Sequence, residues 1–335
     1  MDGKSKEYIL TTRWVDHRAT SIDAVINKML DQNGKILPSR SVTYADWRIQ
    51  KRYEEHQEIL LCNKKIIYNY LNFSCEQNNS GSDMPENAVT KSGYIIVYTY
   101  DNVNEKDKKI YYIINKNSDA LKLLRLLMGY TGQSEIKRLD IGFDSDFFVW
   151  IVKKVYGQDN IISSDSDILS DIIIKSVIGF KGDSPEQSSR IQADGESVMN
   201  LLSTLSYFLE SNQIFNIRMQ LQYADHHNVE LYLINRSRSS KNGHESIASP
   251  VEKYEGSFTG DTLESELSLL VYLEIMPVLY QAYMNDVDNE EWNIKVYIDF
   301  LKQLGKTVAA RVDKLISDLQ KRSGSNSDEE IDLLE

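Results

Sequence analysis

Cysteine is nearly absent from this chain: its 335 residues hold two, Cys62 and Cys75, and neither has a close pair of histidines. Neither a disulfide framework nor a zinc site is indicated. Proline is scarce, at five, while tyrosine is abundant, at 20. With plentiful Ile, Asn and Lys, that composition reads as the codon usage of an AT-rich genome rather than as chemistry. No apolar run approaches the roughly 20 residues needed to span a bilayer, and the first residues lack the apolar core of a signal peptide. A cytosolic protein without membrane association is expected.

Catalytic signatures are also missing. The glycine pairs Gly129 and Gly132, Gly179 and Gly182, and Gly256 and Gly260 lack the Gly-Lys-Ser/Thr ending and the strand-to-helix context of a phosphate loop, so turns explain them. There is no Gly-x-Ser-x-Gly elbow, and neither cysteine has a partnering histidine. The net charge of −12 repels nucleic-acid phosphates, so nucleic-acid binding needs a local basic patch.

What is present describes a soluble α+β protein, 41% hydrophobic and 26% charged, long enough for two domains. Antiparallel hairpins covered by amphipathic helices are expected, ending in a helical C-terminal segment. The expected units are an N-terminal α+β domain over 1–156, a C-terminal α+β domain over 157–322, and a disordered acidic tail over 323–335. The boundary falls near Gly157.

The organising stretch is 194–234. Val198, Leu201, Leu202, Leu205, Phe208 and Leu209 line one side of a helix with Asp194 as its N-cap. Asn200, Ser203, Thr204 and Ser206 make the other side small and polar. The period then changes to two: Ile217, Met219, Leu221 and Tyr223, then Val229, Leu231 and Leu233, alternate with polar residues. A turn centred on His226 places Gln222 opposite Glu230 and Gln220 opposite Tyr232. The apolar face of this hairpin needs a helix over it, and the preceding helix is the nearest candidate.

Elsewhere, 7–15 is a strand, and Thr20 with Asp23 opens a helix carrying Ile22, Val25, Ile26, Met29 and Leu30. Within 41–73, Tyr44, Trp47 and Tyr53 fit a strand or a helix, while 65–71 is extended; 76–92 is a loop. Strands at 94–100 and 110–115 form a second hairpin, and Leu121, Leu124, Leu127 and Met128 mark a short helix closed by Gly129. Residues 147–155 are helical, 172–180 a buried run, 181–192 a loop, and 235–260 a polar connection. Residues 263–283 form the most hydrophobic helix, kinked at Pro277. A closing helix over 292–319 has Leu301, Leu304, Val308, Val312, Leu315 and Leu319 near an a/d seam, interrupted by Gly305; such a seam docks on its own domain, the favoured reading, or on a twin subunit.

Asp140, Asp144 and Asp146, and likewise Asp165, Asp167 and Asp171, have the chemistry to hold Mg²⁺, but capping and solvation of local structure explain each group better. His226 and His227 beside Asp225 read as a solvent-exposed hairpin tip in preference to metal ligands. Glu230 and Arg236, followed by Lys241, loosely resemble the acidic-then-basic strand of restriction-type nucleases, with mismatched spacing. No cofactor is expected.

The most informative feature is the C-terminus. Lys302, Lys306, Arg311, Lys314, Lys321 and Arg322 make the closing helix basic and are the candidate nucleic-acid contacts. After a flexible hinge at 323–327, the acidic tail carries Ile331, Leu333 and Leu334, the candidate partner contacts. The leading reading is a non-enzymatic interaction module, an adaptor or sensor subunit of a bacterial multicomponent system such as a defence or mobile-element system. It takes a protein partner, or pairs as a homodimer through the closing helix. The alternative is a nucleic-acid binder using that basic helix, or a divergent metal-dependent nuclease.

Overall fold

A computed structural model describes residues 8–39, 42–79, 88–101, 108–116, 118–132, 134–164, 168–183, 190–194, 213–235 and 245–328. Among them the expected α+β class holds, with two antiparallel sheets and five helices. The first sheet comprises β1 (Thr12–Asp16), β2 (Leu37–Ser39), β3 (Val42–Lys51), β4 (Gln57–Leu61), β5 (Lys64–Asn79), β6 (Val89–Tyr100), β7 (Ile110–Ile114) and β8 (Ile136–Arg138). Their order is β2-β3-β5-β6-β7-β1-β8, with β4 beside β5. Residues 42–73 therefore hold three strands joined by turns and no helix, and β5 and β6 extend into the stretch expected as a loop, pairing as far as Gln77 with Val89.

Helices cover both faces of this sheet at its centre, which is why the second half of β6 reads as an apolar run rather than alternation. Ile95, Val97, Tyr112 and Ile114 face one way, into a cluster with α1 (Ile22–Leu30) and α2 (Ala120–Leu127). Ile96, Tyr98 and Ile113 face the other, into the central core. Ser21, not Thr20, caps α1, its Oγ accepting from the Ala24 N–H at 3.3 Å. Gly129, at φ +60, follows α2 as expected.

The second sheet comprises β9 (Ile161–Ile162), β10 (Ile172–Asp183), β11 (Arg190–Asp194), β12 (Gln213–Tyr223), β13 (His226–Asn235) and β14 (Glu245–Ala248), ordered β11-β10-β12-β13-β14 with β9 beside β10. Three expectations change here. Of the expected loop over 181–192, residues 181–183 and 190–192 are the paired ends of β10 and β11 and 184–189 lie outside the described residues; Gly179 and Gly182 lie in a strand, at register shifts rather than turns. The polar connection over 235–260 contains β14. Asp194 is paired with Gly179 at the end of β11, while residues 195–209 of the anticipated amphipathic helix lie outside the described residues.

The β12–β13 hairpin forms with a tighter turn than expected. Ala224 and Asp225 alone make the connection, with Ala224 at φ +50, so Gln220 faces Glu230 and Arg218 faces Tyr232. A two-residue turn shifts the register by two positions and leaves each face unchanged, which is why the alternation was still readable. The apolar face is covered by α3 (Ser145–Tyr156) and by α4, which runs from Leu263 to Asp288.

α4 lies between the two sheets. Pro277 has no N–H for the carbonyl of Leu273, and the helix widens into a π-turn over Val271–Ile275 just before it. Two side chains use the carbonyls there: the Cys62 thiol donates to Leu273 O at 3.1 Å, and Arg13 donates to Tyr272 O at 3.3 Å. The stretch Gly260–Asp288 is in fact long and apolar enough to cross a membrane by length and composition, but its most apolar window is 61% buried inside the protein. The central core continues across Gly157: Tyr68, Ile96 and Phe147 share one cluster with Ile174, Leu231 and Leu270. The chain closes with α5 (Ile294–Asp328), which passes as helix through the expected hinge at 323–327.

Candidate functional site

Two places hold candidate function: the closing helix and a cavity between the sheets. Asn293 caps α5, its Oδ1 accepting from the N–H groups of Lys295 and Val296 at 3.0 and 3.1 Å. The first turns are anchored. Phe300 and Leu304 are buried, Tyr156 meets Thr307 at 2.7 Å, and the Trp292 indole just ahead donates to Asp146 at 2.7 Å. Beyond Val308 the character changes. Val312 is 39% exposed, Leu315 55%, Ile316 49% and Leu319 62%. Of residues 312–321 only Ser317 is even half-covered.

The basic residues of this helix do not form one stripe. At about 100° per residue, Lys302 and Lys306 fall on one flank and Lys314 and Lys321 on another, with Arg311 and Arg322 on a third. Lys302 is also paired with Asp299 at 3.1 Å. Ile331, Leu333 and Leu334 lie outside the described residues.

The aspartate cluster before α3 is divided among three structural tasks. Asp144 is the N-cap, accepting from Phe147 N–H at 3.0 Å; Asp146 accepts from the Tyr283 hydroxyl and the Trp292 indole, each at 2.7 Å; Asp140 pairs with Arg138 at 2.5 Å. Asp171 accepts from Ser164 N–H at 3.0 Å, whereas Asp165 and Asp167 lie outside the described residues, as do Arg236 and Lys241. Among the described residues, no group of three His, Cys, Asp or Glu side chains is placed to share a metal ion.

The turn histidines separate. His227 is exposed, but His226 is 5% exposed, against the expectation of a solvent-exposed tip. The two-residue turn makes His226 the first residue of β13, where its Nδ1 meets the Tyr254 hydroxyl at 2.6 Å and its ring packs 4.6 Å from Phe258. Burial depresses its pKa below the usual histidine value, only partly offset by Asp225. Burial likewise pushes both thiols up to about 11, so neither cysteine carries thiolate at neutral pH.

The cavity has a volume of about 520 Å³, within the range of small-molecule sites. Tyr94 and Tyr272 line it, and charged groups stand at its two ends. At one, Arg52 pairs with Glu264 at 2.9 Å, and the Tyr70 hydroxyl donates to the same carboxylate at 3.0 Å. At the other, buried Glu230 accepts from the Tyr8 hydroxyl at 3.0 Å, with Arg218 donating to Tyr8 at 2.7 Å. Glu230 and Glu264 come from distant segments, and each is held by its own tyrosine and arginine. The sequence reading missed Arg52, Glu264 and Tyr8 here, since nothing local marks residues that meet across more than 200 positions.

A further missed residue is Glu274, in the π-turn. Its carboxylate accepts from Cys62 N–H, in the β4–β5 turn, at 2.5 Å, and bonds to the Tyr223 hydroxyl at the end of β12. One side chain thus ties both sheets to α4.

No protein-family model matches the chain, and comparison with curated proteins finds no match.

Proposed function

We propose that this chain is a non-enzymatic interaction module working in the cytosol, an adaptor or sensor subunit whose body holds out the second half of α5 for a partner. The observation that carries this reading is the run Val312, Leu315, Ile316 and Leu319, exposed on a formed helix. Apolar residues gathered on one accessible helix face mark a contact surface, and an amphipathic helix offering them to a groove or another helix is a common recognition mode. The basic residues support a nucleic-acid reading less well, because they are spread around the helix and cannot all face one phosphate backbone.

Sedimentation of the full chain and of a chain ending at residue 308 tests the proposal. The longer chain is expected to associate with itself or with a purified partner, and the shorter one to stay monomeric with the same melting temperature. Equal behaviour of the two overturns the reading. So does salt-sensitive DNA retention in a gel-shift assay that depends on residues 309–322, or DNA cleavage when Mg²⁺ is added.

A further inference from the structure

We infer that the exposed half of α5 pairs with the same segment of a second copy of this chain, as a short antiparallel coiled coil. This rests on the interaction-module reading and names the partner. From Ile298 the positions Leu301, Gly305, Val308, Val312, Leu315 and Leu319 follow in strict alternating steps of three and four, the spacing of a two-helix seam. Leu301 and Val308 are half-covered by their own body, whereas Val312, Leu315 and Leu319 are exposed. A helix projecting without a partner is marginal in water. This one is ordered at its base by Phe300 and Leu304 in the core, so little ordering entropy remains to oppose pairing.

Charge decides orientation and partner. In a seam of this register, Arg311 and Asp318 precede the inward positions Val312 and Leu319, and Ala309 and Ile316 follow the inward positions Val308 and Leu315. Parallel pairing of two copies sets Arg311 beside Ile316 and gives Asp318 no cation. Antiparallel pairing that stacks Val312 on the second copy's Leu315, and Val308 on its Leu319, sets Arg311 beside the second copy's Asp318. It also sets Ala309 beside Ile316. Two-fold symmetry repeats every one of these contacts, so the segment is complementary to itself. Gly305 ends the layers. A Cβ at that position would meet nothing within 4 Å, so the helix's own body leaves the seam open there.

Equilibrium sedimentation of the full chain over a wide concentration range is the test. The wild type is expected to dimerise reversibly, and L315E/L319E to be monomeric with unchanged circular dichroism and melting temperature. R311E and D318R each replace two attractive pairs by two repulsive ones, raising the dimer Kd by about tenfold or more. An equimolar mixture of these two variants restores both attractive pairs and is expected to form a heterodimer at wild-type affinity. A monomeric wild type, a dimer indifferent to L315E/L319E, or a mixture that fails to pair overturns the inference. A monomeric wild type that still needs residues 309–322 to hold a different, purified protein overturns self-pairing while leaving the interaction-module reading intact.

Discussion

At the scale of single residues, the half-buried Glu245 and the buried His226 act on stability with opposite signs in the same pH range. Glu245 accepts from the N–H groups of Ile141 and Gly142 at 2.7 and 2.8 Å, and its carboxyl is pushed up to about 7, first by burial and then by neighbouring Asp140. The folded protein therefore holds a proton that the unfolded chain releases. That contribution is fully present below about pH 4.5 and is lost as the pH rises toward 7. His226 is depressed by burial, so its contribution is lost as the pH falls below its ordinary value near 6.5. Between about pH 5 and 6.5 the two slopes oppose each other. Urea unfolding of E245Q is expected to give stability that rises with pH in this window, and of H226Q stability that falls with it. Each slope is bounded by one proton, about 1.4 kcal/mol per pH unit. Identical slopes for the two variants would refute the assignment.

At the scale of elements, the contact between α4 and the sheets is a row of carboxylates meeting tyrosines. Tyr70 donates to Glu264 at 3.0 Å and Tyr68 to Glu266 at 3.2 Å, while Tyr223 and the Cys62 amide meet Glu274. The abundant tyrosines thus have a structural use beyond codon usage: a ring that packs and a hydroxyl that satisfies a half-buried acid. Glu274 matters most, because it serves both sheets. E274A is expected to lower unfolding free energy by about 2–3 kcal/mol, the cost of leaving a buried amide and hydroxyl unpaired. Hydrogen exchange at Cys62 should accelerate in parallel; an unchanged midpoint in urea would show the clamp to be dispensable. These contacts explain which parts of the fold were legible. α1, α2 and the β12–β13 faces could be read because each buries one side, and period alone reveals that. β3 could not, since a bulge with Asp46 at φ +51 breaks its alternation, and β4 is only five residues long; of β5, the stretch 65–71 reads as extended. β14 is four residues long inside a polar stretch, too short to carry a pattern.

At the scale of the molecule, the cavity and the closing helix differ in legibility for the same reason. The stripe on α5 is local, so spacing alone displayed it, whereas Arg52 and Glu264 become neighbours only after the sheets assemble around α4. The two-domain expectation followed from length and from the polar run after Gly157, neither of which reports on packing. Packing predicts how the chain unfolds. Trp14 and Trp47 sit in the cluster between the first sheet and α1 and α2; Trp150 and Trp292 sit in the central core shared with the second sheet. The first sheet is common to both, with the successive residues Ile95 and Ile96 of β6 on its opposite faces, so the two clusters are expected to unfold together. Urea unfolding followed by fluorescence in W150F/W292F, which reports the outer cluster, and in W14F/W47F, which reports the central core, is expected to show one sharp transition in each. After correction for the stability cost of the substitutions by circular dichroism of the same samples, fluorescence and dichroism midpoints should coincide in both variants. Separated midpoints, with the outer cluster persisting after the central core has melted, would mean that the halves on either side of Gly157 fold independently and that the shared core contributes little to cooperativity.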